Sequence, residues 1–168
     1  MIVAAIDPGY LQSAFVVFDG LHVVAHRTEA NDQILERLEE TKVIPGVVLV
    51  LEEVQMFASH GVGKEVFDSV FWTGRFVQAW VPKRWDRMIR SKVRAHLCHT
   101  MKSGDPQVRA ALIDRFGPFK EKAIGNKSAQ GPLFGLVGHE WQALGLAVTY
   151  LDQHGHEDPI RPGVNAEF

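Results

Sequence analysis

The chain has 168 residues, 46% hydrophobic and 23% charged, which suits one globular domain able to bury a core without disulfides. Cys98 stands alone and cannot pair within the chain, and no apolar run nears the roughly eighteen residues that a membrane helix needs. A disulfide scaffold and a membrane protein are thereby excluded, and a reducing compartment, the cytoplasm, is expected. The opening residues have no basic region and meet Asp7 early, so they do not read as a signal peptide.

The net charge of −2 hides an asymmetry. Between Arg75 and Lys127 there are thirteen Lys/Arg against four acids, a balance of +9, which leaves −11 for the rest of the chain. A basic middle beside an acidic remainder fits a polyanion-binding face next to a cation site; taken alone, it also fits a solvated basic surface.

Residues 1–7 form a short apolar run that ends in Asp7-Pro8-Gly9, a turn signal. Residues 13–18 form a second run, and Asp19-Gly20 marks a hairpin into a third strand at 21–27. Residues 29–40 read as an amphipathic helix with Ile34, Leu35 and Leu38 on one face, stopped by Pro45-Gly46. The solid apolar run 47–51 predicts a central strand covered on both faces and ends abruptly in Glu52-Glu53. After a small-residue loop, apolar spacing predicts a helix over 64–80 that contains Gly74, a residue that would permit close helix approach. A short strand is expected over 84–89 and a helix from Ser91, as its cap, to Cys98. Asp105-Pro106 opens another helix, with Asp105 as cap, running to 116. Residues 117–136, with four glycines and two prolines, predict a flexible loop. A last apolar-faced helix covers 139–153, and 154–168 read as a frayed polar tail. The order predicts a mixed α/β domain over 1–153: three antiparallel strands, then further strands, flanked by helices.

Two strands end in acids. An apolar strand that delivers Asp7 to the sheet rim puts a charge where ligands gather, although Asp7-Pro8-Gly9 also reads simply as a turn. Glu52 repeats the arrangement, and strand alternation sends Glu53 to the opposite face. If the strands are neighbours, the carboxylates of Asp7 and Glu52 repel, and a divalent cation is a common way to hold such a pair. The first turn of the last helix can turn His139 and Gln142, or Glu140, toward the same rim. The positive end of the helix dipole there should help keep His139 neutral.

Taken together, these segments resemble the RuvC Holliday junction resolvases of the RNase H-like superfamily. Ala5-Ile6-Asp7-Pro8-Gly9 resembles the first family motif, and Leu51-Glu52-Glu53-Val54-Gln55-Met56-Phe57 the second. Ser91-Lys92-Val93-Arg94 resembles a basic segment, and His139-x-x-Gln142-Ala143-Leu144 the last motif. The resemblance spans about residues 1–152, with a looser likeness to phage and prophage versions, whose setting would be the host cytoplasm.

It implies an RNase H-like fold and a homodimer that cuts branched DNA with Mg²⁺ or Mn²⁺, two ions per site, leaving 5′-phosphate and 3′-hydroxyl nicks. Asp7 and Glu52 would be ligands, with His139, Gln142 or Glu140 completing the set. Arg90, Lys92, Arg94 and Lys102 would contact DNA. Phe57 would wedge into the junction, although capping the core is an equal reading. Phe67, Phe71 and Gly74 would form the dimer contact. One departure stands out: the family carries Asp where this chain has Gln142, and an amide binds Mg²⁺ more weakly than a carboxylate. A junction-binding protein with weak or no cleavage is therefore the alternative. An actin-like nucleotide-binding module shares only Asp7-x-Gly9 and needs a far longer chain.

Overall fold

A computed structural model describes residues 1–55 and 63–155. Among the described residues there are five strands: β1 (Ile2–Asp7), β2 (Gln12–Phe18), β3 (Val23–Ala30), β4 (Val47–Glu52) and β5 (Trp85–Met88). The helices are α1 (Asn31–Thr41), α2 (Lys64–Trp80), α3 (Arg90–Cys98), α4 (Asp105–Phe116), α5 (Lys120–Ala123) and α6 (Glu140–His154). The strands form one sheet in the order β3-β2-β1-β4-β5. The β1–β2 and β2–β3 pairs are antiparallel, while β1–β4 and β4–β5 are parallel. This is the expected mixed sheet. The Asp19-Gly20 turn also forms, with Asp19 Oδ1 accepting the Leu21 and His22 N–H groups at 2.7 Å each.

Both sheet faces are covered, which explains the unbroken apolar runs of β1 and β4. On one face Val3, Ala5, Val48 and Val50 pack among α3, α4 and α6 residues such as Val93, Val108 and Leu144. On the other, Ala4, Ile6, Leu49 and Leu51 meet Ile34 and Leu38 of α1 and Phe76 and Trp80 of α2. α6 is buried from Glu140 through Tyr150, so it is a central helix rather than an amphipathic surface one.

Three expectations change. Residues 117–136 are a packed connection, not a flexible loop: Ala123, Leu133 and Leu136 are buried, and the Leu133 N–H bonds the Ala123 carbonyl at 2.9 Å. No periodic apolar pattern announces it, because irregular backbone and glycine close approaches do the packing. A Cβ at Gly131 would run into the carbonyls of Lys122 and Ala123. The caps also move. Ile89, not Ser91, precedes α3, and Gly104, not Asp105, caps α4, with Gln107 Oε1 accepting the Gly104 N–H at 3.0 Å. Finally, a Cβ at Gly74 would meet nothing within 4 Å, so this glycine brings no other described helix close. No helix of the described residues is long and apolar enough to cross a membrane.

Candidate active site

Register and alternation place the acids. Ile6 pairs with Leu51, so Asp7 and Glu52 each follow by one residue on adjacent parallel strands. Val3 and Ala5 face α6, and Asp7 continues that face; Val48, Val50 and Glu52 do the same on β4. Both carboxyl groups therefore emerge on one face at the carboxyl ends of neighbouring strands.

The turn after β1 is pinned by side chains. Asn31 Nδ2 donates to the Gly9 carbonyl at 3.0 Å, Ser13 Oγ accepts the Gly9 N–H at 3.1 Å, and Ser13 in turn donates to Asn31 Oδ1 at 2.6 Å. A Cβ at Gly9 would run into the Gln12 carbonyl, so the tight turn that presents Asp7 needs glycine. Asn31 and Ser13 carry no sequence signal for this role, because they converge only through strand pairing.

Arg90, the first residue of α3, lies between the acids. Its Nε is 2.7 Å from Glu52 Oε1, and one terminal nitrogen is 3.4 Å from Asp7 Oδ1. The other terminal nitrogen is 4.0 Å from Asp105 Oδ1, which also accepts from Arg94 at 3.1 Å. Burial and the Asp7 charge push the Glu52 carboxyl up to about 7, although Arg90 opposes the shift. Burial draws the Arg90 guanidinium down, but Glu52, Asp7 and Asp105 outweigh it and hold it above its ordinary value. Arg90 thus answers two carboxylates at once, and Glu52 is left favouring its protonated form. Arg90 and Arg94, expected on DNA, are engaged with carboxylates here, while Lys92 and Lys102 are exposed.

The first turn of α6 sorts its residues. His139 Nδ1 lies 2.9 Å from Asp7 Oδ2, and this bond raises the imidazole above its ordinary value. The Asp7 carboxylate in contact thus works against the helix end, whose positive dipole favours the neutral ring. Glu140 has other partners. Its oxygens lie 2.7 Å from His26 Nδ1 and accept the Thr28 hydroxyl and the Val137 N–H at 3.1 Å each. It joins α6 to β3. Gln142 is buried and lines a groove with Asp105, Pro106, Arg109 and Trp141, apart from the cavity that His139 shares with Asp7. Sequence reasoning named Asp105 only as a cap. Its place beside Arg90 depends on how α4 packs.

Among the described residues, no three His, Cys, Asp or Glu side chains form a ready metal cage. The donor set nonetheless fits Mg²⁺, which is commonly held by one or two carboxylates and completes its shell with water and substrate phosphate. Beside Asp7 a cavity of about 510 Å³ is lined by Pro8, Gly9, Tyr10, Thr28 and His139, among others. Beyond Glu52 another, of about 320 Å³, is lined by Glu53, Val54, Glu65, Ser69 and Arg90, among others.

On α2, Phe67 (64% exposed), Val70 and Phe71 (61%) present an apolar face to solvent. Phe57 falls in 56–62 and the tail in 156–168, both outside the described residues.

No protein-family model and no curated protein sequence matches this chain. Solved structures do. The Thermus thermophilus RuvC structure matches with a TM-score of 0.60 at 18% identity, covering 92% of this chain and 97% of that one. T. thermophilus RuvC in complex with a Holliday junction substrate matches with a TM-score of 0.61 at 17% identity, covering 89% and 92%. The chain has a RuvC-like, RNase H-like fold.

Proposed function

We propose that this protein is a structure-selective endonuclease that resolves Holliday junctions and other branched DNA by divalent-metal-dependent phosphodiester hydrolysis, leaving 5′-phosphate and 3′-hydroxyl nicks. One observation carries the reading: Asp7 and Glu52 stand side by side on one face at the rim of a RuvC-like sheet, close enough that each disfavours the other's charge.

Asp7 and Glu52 would hold Mg²⁺ or Mn²⁺ through their oxygens, with His139, which touches Asp7, as a further candidate ligand. When bound, such ions polarise the phosphate and lower the pKa of a coordinated water, with two ions dividing attack and departure between them. The chain's own residues supply the rest. Asp7 orients the His139 ring through Nδ1, which leaves Nε2 free to bind a ligand or carry a proton. Gln142 and Glu140 contribute little to cation binding in this reading: one lines a separate groove and the other has its own partners. Lys92 and Lys102 contact phosphates, Arg90 and Arg94 border the scissile position, and Phe57 enters the junction.

The exposed Phe67 and Phe71 favour a homodimer through α2, which would set one site on each of two opposed strands of a two-fold junction. Sedimentation of Phe71→Glu should then show monomers where the parent protein is dimeric.

The test of function is a nicking assay on a synthetic four-way junction with Mg²⁺ or Mn²⁺, with linear duplex alongside. Symmetric, junction-selective, ligatable nicks support the reading. Tight junction binding without nicks under either ion would favour the binding-only alternative.

A further inference from the structure

The Arg90 guanidinium occupies the space that a cation shared by Asp7 and Glu52 would need, 2.7 Å from one carboxylate and 3.4 Å from the other. We infer that Arg90 is an internal cation that competes with the divalent ion for Asp7 and Glu52, and that entry of the ion releases it to substrate phosphate. The inference rests on the metal-dependent reading above and adds a coupling to it.

Three features support competition. First, a guanidinium carries one charge and stands between two carboxylates, Glu52 and Asp7, so a doubly charged ion is the better match for the pair. Second, both cations cannot occupy the same carboxylate oxygens at full strength, since a guanidinium left in place would repel the ion at close range. Third, Arg90 has somewhere to go. Its side chain is 31% exposed, and Asp105, an acid outside the inner pair, lies 4.0 Å from it at the start of α4. Rotation about the long side chain moves the guanidinium off the inner pair without moving α3.

A guanidinium at the edge of the site is a fork suited to two phosphate oxygens. Without a divalent ion the fork is spent on Glu52 and Asp7; with the ion it is free for DNA. Metal and DNA would then strengthen each other's binding, as linkage requires when each favours the same state of Arg90. Arg90 is thus a positioning residue in the free protein and a phosphate ligand in the loaded one.

The test is calorimetric titration of Mn²⁺ into the DNA-free protein near pH 8, comparing wild type, Arg90→Gln and Arg90→Lys. Arg90→Gln should bind Mn²⁺ about tenfold more tightly or better, because a competing charge within a few ångströms is gone. Arg90→Lys keeps a charge but loses the fork, and should fall between the two; it carries the same test if Arg90→Gln folds poorly. Equal or weaker Mn²⁺ binding by both variants, with wild type binding the ion, overturns the inference and leaves the metal reading standing. No Mn²⁺ binding by any of the three overturns both. Junction affinity supplies the second arm. Ca²⁺, a hard oxygen-seeking ion, should tighten junction binding by wild type clearly more than by Arg90→Gln. Equal increments would overturn the coupling.

Discussion

Two buried acidic groups flank the first turn of α6, and their surroundings differ in kind. Glu140 is closed in: a histidine, a hydroxyl and a backbone N–H converge on its two oxygens. The Asp7–Glu52 pair is left short, with two carboxylates sharing one arginine, one histidine on Asp7, and a Glu52 carboxyl pushed up to about 7. A buried polar group with all its partners holds a structure together, whereas one kept without enough of them is a place where something else binds. His139 and Glu140 are adjacent in sequence, yet they serve opposite sides of this divide.

The sharpest way to break that comparison is to exchange charge for shape on each side. Asp7→Asn and Glu52→Gln should each lower junction cleavage by about a thousandfold or more, since each removes a ligand charge, while junction binding holds or tightens. Neither should lower thermal stability. Cleavage that survives either change would remove the pair from the chemistry.

Glu140→Ala should do the reverse. It strips the partner from His26, Thr28 and the Val137 N–H inside the fold and should cost about 3 kcal/mol of stability. For a chain of this size that is roughly 6–12 °C in melting temperature. Cleavage per folded molecule should fall less than in His139→Ala, whose exposed side chain touches Asp7. If Glu140→Ala melts like the parent and yet is inactive, the closed cluster is catalytic and the division drawn here is wrong.

Much of this was legible in the chain. Unbroken apolar runs mark β1 and β4 because both sheet faces are covered, and an acid ending each run marks the rim. The rotation of α6 was not legible. Eleven consecutive buried residues from Glu140 to Tyr150 erase the apolar stripe that would say whether Glu140 or Gln142 faces Asp7. The carboxylate partners of Arg90 and Arg94 were not legible either: likeness to a basic motif segment marks them for DNA and says nothing of which acids the fold brings within 4 Å. Residues 117–136 were misread for a related reason: glycines that permit close packing look, in sequence, like glycines that permit motion.

The strain on the Asp7–Glu52 pair should also appear as pH dependence. Folding raises the Glu52 carboxyl from 4.5 to about 7, so the folded state favours its protonated form. Its contribution to stability is fully present below pH 4.5, is lost as pH rises toward about 7, and is level above that. Relative to Glu52→Gln, which does not titrate there, the metal-free wild type should lose about 3 kcal/mol across that window. Urea unfolding of both proteins at several pH values reads this directly. Mn²⁺ at pH 7.5 should restore stability to the wild type more than to the variant. Parallel profiles would mean that Arg90 already balances the pair.

The smallest expected effect concerns the cations outside the carboxylate cluster, and it separates lysines free to meet phosphate from arginines already paired. Lys92 and Lys102 are exposed, Lys92 on α3 two residues after Arg90, whereas Arg37 lies on α1, bonded to Glu29 at 3.1 Å and to Glu40 at 3.2 Å. Each phosphate contact on a duplex arm contributes roughly −0.9 to the log–log slope of affinity against salt, through counterion release. Lys92→Ala should therefore flatten the slope by about one and weaken every branched substrate alike, while Arg37→Ala should leave it unchanged. Arg94→Ala should fall between them, because its guanidinium must leave Asp105, 3.1 Å away, before it can meet DNA. Junction titrations across a range of salt concentrations order the three. If Arg37→Ala flattens the slope as much as Lys92→Ala, phosphate contact is spread over the whole surface, and the +9 of residues 75–127 is a solvated face and not a footprint for DNA.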